Sequence, residues 1–295
     1  MNIAWILLPA ILLEALFYFL PSSTGFRSRF GKLSPYLQAP LIWLSGFAPV
    51  FLLNQLQGSH PEEFTLFAGA LGITCVWFLI LPKRPAADIL LLVLLSSFIL
   101  LPWFKPLFPS PAGTAKLDSL NKLLWVRVGI WVFLFPRRFS VPGIGFLPNR
   151  QEWFVGTRYF VYFLAIILPV GLYFHIFRVQ FPKVDLWAIP FLTLGTFLGM
   201  MLFVTWGEEF LVRGVLQSVL IKELGRWPGI LIASLCFGLV HLSFRNYPNW
   251  RFAAFSALAA VFYGLAFERG HSLRAAMVTH SLVNTVWTIV FSRSL

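Results

Sequence analysis

Residues 187–214 read WAIPFLTLGTFLGMMLFVTWGEEFLVRG, an uncharged apolar stretch that runs directly into two adjacent glutamates and an arginine. A membrane-spanning helix needs about 20 mostly apolar residues, and this stretch supplies them. A charged side chain at the centre of a bilayer costs roughly 3 kcal/mol, so we expect Glu208, Glu209 and Arg213 to face a protein interior or a wet cavity. The stretch therefore predicts a membrane helix that carries a functional site.

Apolar stretches of similar length recur along the whole chain. Of its 295 residues 58% are hydrophobic and 12% are charged, whereas a soluble domain carries about 25% charged residues. The pattern predicts an all-α fold, a multi-pass transmembrane helical bundle of eight to ten helices, in an integral membrane protein of the cell (plasma) membrane. The stretches lie near 2–20, 39–56, 64–81, 87–104, 157–177, 187–206, 228–244, 252–267 and 275–292. For residues 120–135 three alternatives stay open: a membrane span, an interfacial helix or a buried helix.

The net charge of +12 is spread over short loops between the apolar stretches. This distribution is typical of membrane topology and of contact with lipid headgroups, and it does not favour a nucleic-acid partner. The first loop (27–32) and the third (83–84) are basic, while the second (62–63) is acidic, so the positive-inside rule places the first and third in the cytoplasm. The basic segment that starts at Arg137 joins them only if residues 120–135 also cross the membrane.

The two halves of the chain differ in chemistry. Few polar residues lie in the apolar stretches of residues 1–150, whereas residues 151–295 hold all the side chains that look reactive. We predict an N-terminal transmembrane accessory region at 1–150 and a site-bearing domain at 151–295. Cys75 and Cys236 both fall in apolar stretches, which argues against a disulfide framework or a thiolate metal site.

Helix geometry separates the roles of the two glutamates. At about 100° per residue, Glu209 and Arg213 share one face as an i, i+4 pair, and Glu208 points away from the arginine. The simplest interpretation of Glu209 with Arg213 is a buried salt bridge that links helices. Glu208 is then the freer carboxylate and the better candidate for chemistry, unless it lies at a helix end near the headgroups.

Two later motifs add polar groups to separate apolar stretches. Phe237 and His241 are four residues apart, as are His280 and Asn284, so each pair shares one helix face. Taken alone, His241 is typical of a core histidine bonded to a carbonyl, and His280 with Asn284 is typical of interhelical hydrogen bonding. The combination of all three motifs favours one shared site.

In this order, and each in an apolar helix, the three motifs resemble the CPBP (Abi) family, which includes type II CAAX prenyl endopeptidases and bacteriocin-processing or immunity proteins. The resemblance covers about residues 187–292. It implies an intramembrane protease, a hydrolase acting on a peptide or prenylated-protein substrate. Carried over residue by residue, it implies Glu208 as catalytic carboxylate, Glu209 and Arg213 as its motif partners, His241 as second catalytic residue, and His280 with Asn284 as transition-state stabilisers.

Peptide hydrolysis needs a base for water, donors for an oxyanion and an acid for the leaving amine. Glu208 with His241 supplies the base for water, and His280 with Asn284 supplies the donors for the oxyanion. Glu208 then acts as the acid by returning its proton to the leaving amine. We expect no cofactor on this mechanism. Zinc held by Glu208, His241 and His280 is the alternative, although there is no His-Glu-x-x-His motif and Asn is a poor zinc ligand.

Two functions of other classes remain open at this point. Buried Glu, Arg and His also serve proton-coupled transporters, although no inverted repeat is evident, and a non-catalytic scaffold or immunity protein could keep the cluster for folding. Simple crossings would also place His241 and His280 near opposite faces of the membrane. The catalytic hypothesis therefore requires a broken, tilted or shifted helix, for which Gly207, Gly214, Gly225 and Pro228 are candidates.

Overall fold

The computed structural model describes residues 4–56, 60–108, 118–173, 178–179, 184–244 and 247–292. Almost all regular structure in these ranges is helical, and one two-residue antiparallel pairing joins β1 (Arg178–Val179) to β2 (Phe291–Ser292). The all-α prediction is confirmed. The chain divides into two compact units, Met1–Ser140 (unit 1) and Val141–Leu295 (unit 2). The proposed roles of an accessory region and a protease domain stay predictions.

Unit 1 contains six α-helices and two short 3-10 helices, Leu20–Ser22 and Lys105–Leu107, within the described ranges. The α-helices are α1 (Ala4–Phe19), α2 (Thr24–Phe30), α3 (Pro35–Leu56), α4 (Pro61–Ile80), α5 (Pro85–Leu100) and α6 (Asp118–Leu134). The chain bends by 88° between α1 and α2. Ser23 caps the start of α2 by accepting the Phe26 N–H, as expected where a chain turns into a new helix.

A fully buried ion pair joins α1 to α6 inside unit 1. Arg127 donates to both carboxylate oxygens of Glu14 at 2.7 and 2.9 Å, and to the Ser45 hydroxyl of α3 at 2.9 Å. Two ions without water need this degree of pairing, because breaking a buried pair typically costs about 3–5 kcal/mol. The charges of Glu14 and Arg127 therefore neutralise each other inside unit 1.

Unit 2 contains α7 (Arg150–Tyr173), α11 (Arg226–Val240), α12 (Trp250–Gly270), α13 (Leu273–Val290) and a long segment that we call the motif helix, Leu186–Leu224. Within the motif helix, α8 (Ile189–Gly199), α9 (Trp206–Glu209) and α10 (Ser218–Leu224) are separated by two π-helical segments, Met200–Thr205 and Phe210–Gln217. The apolar stretch predicted at 187–206 does not end there. The helix continues through the glutamates because its polar side chains find partners inside the unit.

Helix α13 is central to unit 2 and is closely packed. It contacts α7, α12 and the motif helix, and a Cβ added to Gly156 of α7 would lie 2.6 Å from the side chain of Val278. Thr279 donates to the Gly156 carbonyl at 2.9 Å. Only glycine at position 156 allows this approach, which holds the middle of α13 against α7.

A polar clamp fixes the start of α13 to the start of α7. Oε1 of Glu152 accepts the Ser272 hydroxyl at 2.5 Å and the Arg274 guanidinium at 2.9 and 3.1 Å. Ser272 also caps α13 through the Arg274 N–H. The clamp and the glycine contact together set the position of the α13 side chains that form the site.

Five described helices are long and apolar enough to cross a membrane, or six if the bent pair is one span. Two shorter apolar helices, Pro85–Leu100 and Arg226–Val240, add further candidates. The protein is an integral membrane protein with several helical spans. If the bent pair and both shorter helices cross, the described candidates number eight, the lower end of the predicted eight to ten. The five are Pro35–Gln55, Pro61–Ile80, Arg150–Tyr173, Leu186–Leu224 and Trp250–Gly270.

Candidate active site

The two glutamates lie on the only α-helical turn between the two π-helical segments of the described motif helix. Such wide turns are rare and are frequently found at functional sites. Gly214 lies in the second of them, where an added Cβ would lie 2.9 Å from Val141. The helix then ends at Gly225, whose φ of +89° suits glycine. Of the four candidate points of irregularity, Gly214 and Gly225 are irregular. Gly207 lies in the α-helical turn α9, and Pro228 lies in the regular first turn of α11.

Glu209 is the centre of the buried network. Its Oε2 accepts Arg213 Nε at 3.2 Å and its Oε1 lies 2.7 Å from His280 Nδ1. The side chains of Glu209 and Arg213 have no exposed surface, and His280 is 3% exposed. The predicted salt bridge is confirmed. Its link to a second helix runs through His280 of α13, which helix spacing alone did not reveal.

Arg213 continues the network towards α12. It donates to Gln217 Oε1 at 3.3 Å, and Gln217 Nε2 donates to the Gly264 carbonyl at 3.2 Å. Sequence reasoning missed Gln217, although it lies one further i, i+4 step beyond Glu209 and Arg213, a spacing that could have identified it. One face of the motif helix therefore carries a carboxylate, a guanidinium and an amide, and these groups are hydrogen-bonded to two neighbouring helices, α12 and α13.

Glu208 is the less confined carboxylate. Its side chain is 35% exposed, and Oε2 lies 3.8 Å from His280 Nε2. That separation is too long for a hydrogen bond, so the group has room to approach a water molecule or substrate. The same imidazole therefore lies between two consecutive glutamates, bonded to one of them and facing the other.

Aromatic rings fix the plane of His280. Tyr263 of α12 stacks on the imidazole with centroids 4.2 Å apart and planes inclined by 15°, and Phe237 meets it edge-on at 5.6 Å. Arg213 lies over both rings, 5.6 Å from the Phe237 centroid and 6.0 Å from that of Tyr263. Tyr263 was also missed, because a tyrosine in an apolar helix gives no distinctive sequence pattern.

His241 joins this group through Phe237 rather than by a polar contact. Helix α11 ends at Val240, and His241 Nδ1 lies 2.7 Å from the Phe237 carbonyl. Its ring is 4.6 Å from the Phe237 ring, the same ring that touches His280. Among the described residues, it forms no hydrogen bond or ion pair with Glu208 or Glu209. The two histidines nevertheless contact the same ring, so they do not lie near opposite faces of the membrane as simple crossings would place them.

Asn284 lies one helical turn beyond His280 on α13. Its amide nitrogen contacts Met200 Sδ at 3.9 Å, a weak acceptor. The amide therefore has donors to offer to a bound group. The structure thus brings together the Glu208, Glu209, Arg213 and His280 side chains, with Asn284 next along α13 and His241 reached through a shared aromatic neighbour.

The three residues considered as zinc ligands do not form a metal-holding group. Within the described ranges, no set of three His, Cys, Asp or Glu side chains lies close enough to hold a metal ion. Nδ1 of His280 and Nδ1 of His241 each take part in a hydrogen bond, which leaves Nε2 of each ring as the nitrogen that could bind a metal ion. In the observed arrangement these three side chains do not fit a zinc centre. The expectation that no cofactor is needed stays a prediction.

Comparison with known families gives one match, to the model described as Type II CAAX prenyl endopeptidase Rce1-like, over residues 190–286. Comparison with curated proteins and with solved structures gives no match for this chain. The matched segment contains the whole network from Glu208 to Asn284. A family of this kind implies a peptidase with a peptide or prenylated-protein substrate in membranes. The resemblance predicted from the three motifs is therefore confirmed: over residues 190–286 the chain is similar to the Rce1-like type II CAAX prenyl endopeptidases, in line with the CPBP (Abi) family.

Proposed function

We propose that the protein is an intramembrane endopeptidase that hydrolyses a peptide bond of a hydrophobic or prenylated, membrane-associated peptide at the plasma membrane. One observation carries the proposal. A buried imidazole, His280, is held by Glu209 and faces the partly exposed Glu208 across 3.8 Å. This arrangement supports a site in which acid, imidazole and amide groups from different helices bind a carbonyl and a water molecule together.

The hydrogen-bond partners indicate which ring nitrogen of each histidine carries a proton. The Phe237 carbonyl only accepts, so His241 Nδ1 carries the proton and its Nε2 is left as an acceptor in the neutral ring. Arg213 carries a permanent charge and favours the ionised carboxylate of Glu209, which accepts the Nδ1 proton of His280. His280 Nε2 then offers a proton to substrate only as imidazolium.

The reaction follows from these assignments. Glu208 takes a proton from water, which His241 Nε2 orients by accepting its second hydrogen, and the resulting hydroxide attacks the carbonyl carbon. The protonated His280 Nε2 and the Asn284 amide donate to the tetrahedral oxygen. The C–N bond then breaks as Glu208 returns its proton to the leaving nitrogen. Atoms and charges balance without any further reactant.

The base can be tested by a matched pair of isosteric substitutions on the motif helix. Glu208→Gln removes the proton acceptor, and Glu223→Gln makes the same change at an exposed position of α10. A farnesylated peptide with a fluorophore and a quencher on either side of the scissile bond reports cleavage by protein purified in nanodiscs. We expect cleavage to fall at least 1,000-fold in the first variant, as roughly expected for a lost catalytic group, and to stay unchanged in the second.

Full activity of a folded Glu208→Gln variant would refute the proposed base. Loss of wild-type activity in chelator, restored by zinc, would favour the metal-dependent alternative. Activity that persists in chelator supports the metal-free mechanism.

The same preparation separates the other functions. Cleavage that is lost on His241→Ala identifies an enzyme, ion flux in liposomes identifies a transporter, and the absence of both identifies a scaffold.

A further inference from the structure

Four cations come together at one end of unit 1, far in sequence from the candidate site. Lys83 and Arg84 lie between α4 and α5, and Arg137 and Arg138 follow the end of α6. A salt bridge shows that these two segments meet: Arg137 donates to both carboxylate oxygens of Asp88 in the first turn of α5, at 2.6 and 2.8 Å. Both basic segments therefore lie on one side of the membrane, as expected if α6 crosses it.

We call Lys83, Arg84, Arg137 and Arg138 the basic cluster. Within it, Arg137 is held in place by its contacts. Its partner Asp88 is fully buried, and its guanidinium lies 5.7 Å from the Phe78 ring centroid and 5.5 Å from that of Phe139. Such pairing and ring contact hold an arginine in one geometry. The position of the cluster is therefore set by packing and does not depend on a flexible side chain.

The backbone after α6 is equally well defined. Arg137 N donates to the Val132 carbonyl at 3.0 Å, and Phe139 N donates to the Phe133 carbonyl at 2.8 Å. Between them, Arg138 has φ of +57°, a conformation that is uncommon for a residue with a Cβ. The turn holds the exposed Arg138 side chain next to the ion pair at some conformational cost, which is typical of a functional position.

The other three cations lack a neutralising partner. In the described part of the chain, Lys83, Arg84 and Arg138 are exposed and have no carboxylate within ion-pair distance. Partial burial, together with the charges of Arg138 and Arg137, lowers the pKa of Lys83. With Asp88 neutralising one of four cations, the cluster has a formal charge of +3. Like charges at this density favour a bound anion.

The surroundings indicate which anion fits. The cluster lies just beyond the ends of apolar helices, which is where lipid headgroups are expected. Large apolar side chains are exposed on the helices leading to it, among them Ile80 (74%), Leu90 (57%) and Val93 (62%). A ligand with an anionic head and an acyl tail matches both features, whereas free phosphate matches only the first.

We propose that Lys83, Arg84 and Arg138, supported by the Arg137–Asp88 pair, form a binding site for the headgroup phosphate of an anionic phospholipid. The site is independent of peptide cleavage and would exist even if the proposed function failed. Each basic residue near a membrane surface strengthens binding of acidic lipid by roughly fivefold.

The site can be tested with lipid added to full-length protein in a neutral detergent. Binding of short-chain phosphatidylglycerol, short-chain phosphatidylcholine and inorganic phosphate is measured by native mass spectrometry. The double variant Lys83→Gln with Arg138→Gln removes two cations of the cluster. Arg226→Gln with Arg269→Gln removes two exposed cations of unit 2 and serves as the equal-charge control.

We expect wild-type protein to prefer phosphatidylglycerol, the cluster variant to lose affinity by roughly 30-fold, and the control to stay within about threefold of wild type. Equal loss in both double variants would show attraction by net charge alone and would overturn the proposal, as would equal binding of phosphatidylcholine or binding of inorganic phosphate with the same affinity. Arg84→Gln alone should lose roughly fivefold, which keeps the test decisive if the double variant does not fold.

Discussion

Asn284 offers the sharpest separation between chemistry and stability, because its side chain contributes little to the packing. The amide makes one weak contact, 3.9 Å to Met200 Sδ, and the residue is only partly buried. Replacing it with alanine should therefore change the free energy of unfolding by less than about 1 kcal/mol. If the amide donates to the oxyanion, kcat should fall by about 100-fold to 1,000-fold, equivalent to about 3–4 kcal/mol in the transition state. KM should change little, since the interaction forms only in the transition state.

Ser281→Ala on the same helix is the matched control, with the opposite expectation. Ser281 is fully buried and hydrogen-bonded to Thr205 at 3.0 Å. Its loss should lower stability by about 1 kcal/mol and leave kcat within a few-fold. Cleavage of the farnesylated peptide gives kcat and KM, and denaturant unfolding gives stability. Near-normal kcat in a folded Asn284→Ala protein would refute the assigned role, and so would a loss that only follows stability in both variants.

Three further predictions concern the supports of the site. Arg213→Met leaves the buried Glu209 carboxylate without its cation and should cost about 3–5 kcal/mol in unfolding experiments; stability equal to wild type would contradict the network. Tyr263→Phe keeps the ring stacked on His280 and should retain cleavage, whereas Tyr263→Leu should lose up to about tenfold in kcat and shift the pH–rate profile; equal activity of the two variants would remove the positioning role. Gly156→Val forces α7 and α13 apart and should destabilise by about 1–3 kcal/mol, measured against Gly69→Val, where an added Cβ meets nothing within 4 Å.

Much of the site could be predicted from residue spacing, because helix geometry determines which side chains share a face. The Glu209–Arg213 pair and the freer position of Glu208 both follow from about 100° per residue and are found in the structure. The hydrogen bond between Glu209 and His280 could not be predicted from residue spacing, because the two residues lie 71 positions apart on different helices. The catalytic roles of all six motif residues stay predictions.

The boundaries of the motif helix show a different limit. The hydropathy pattern predicted that the apolar stretch ends at residue 206, because the charged residues Glu208, Glu209 and Arg213 follow. In the structure these charges have partners inside unit 2, so the helix continues to Leu224. The π-helical segments were not predicted either, because hydropathy and i, i+4 spacing do not distinguish a π-helical turn from an α-helical one.

The single imidazole held between two consecutive glutamates has an electrical consequence. With His280 protonated, two carboxylates and two cations cancel, and the cluster is electroneutral. On the proposed mechanism Glu208 would gain a proton from water, and one negative charge would disappear from the cluster just as another appeared on the substrate oxygen. The total within the low-dielectric interior is unchanged throughout the step, so bond cleavage would not carry the penalty of creating an isolated ion inside a bilayer.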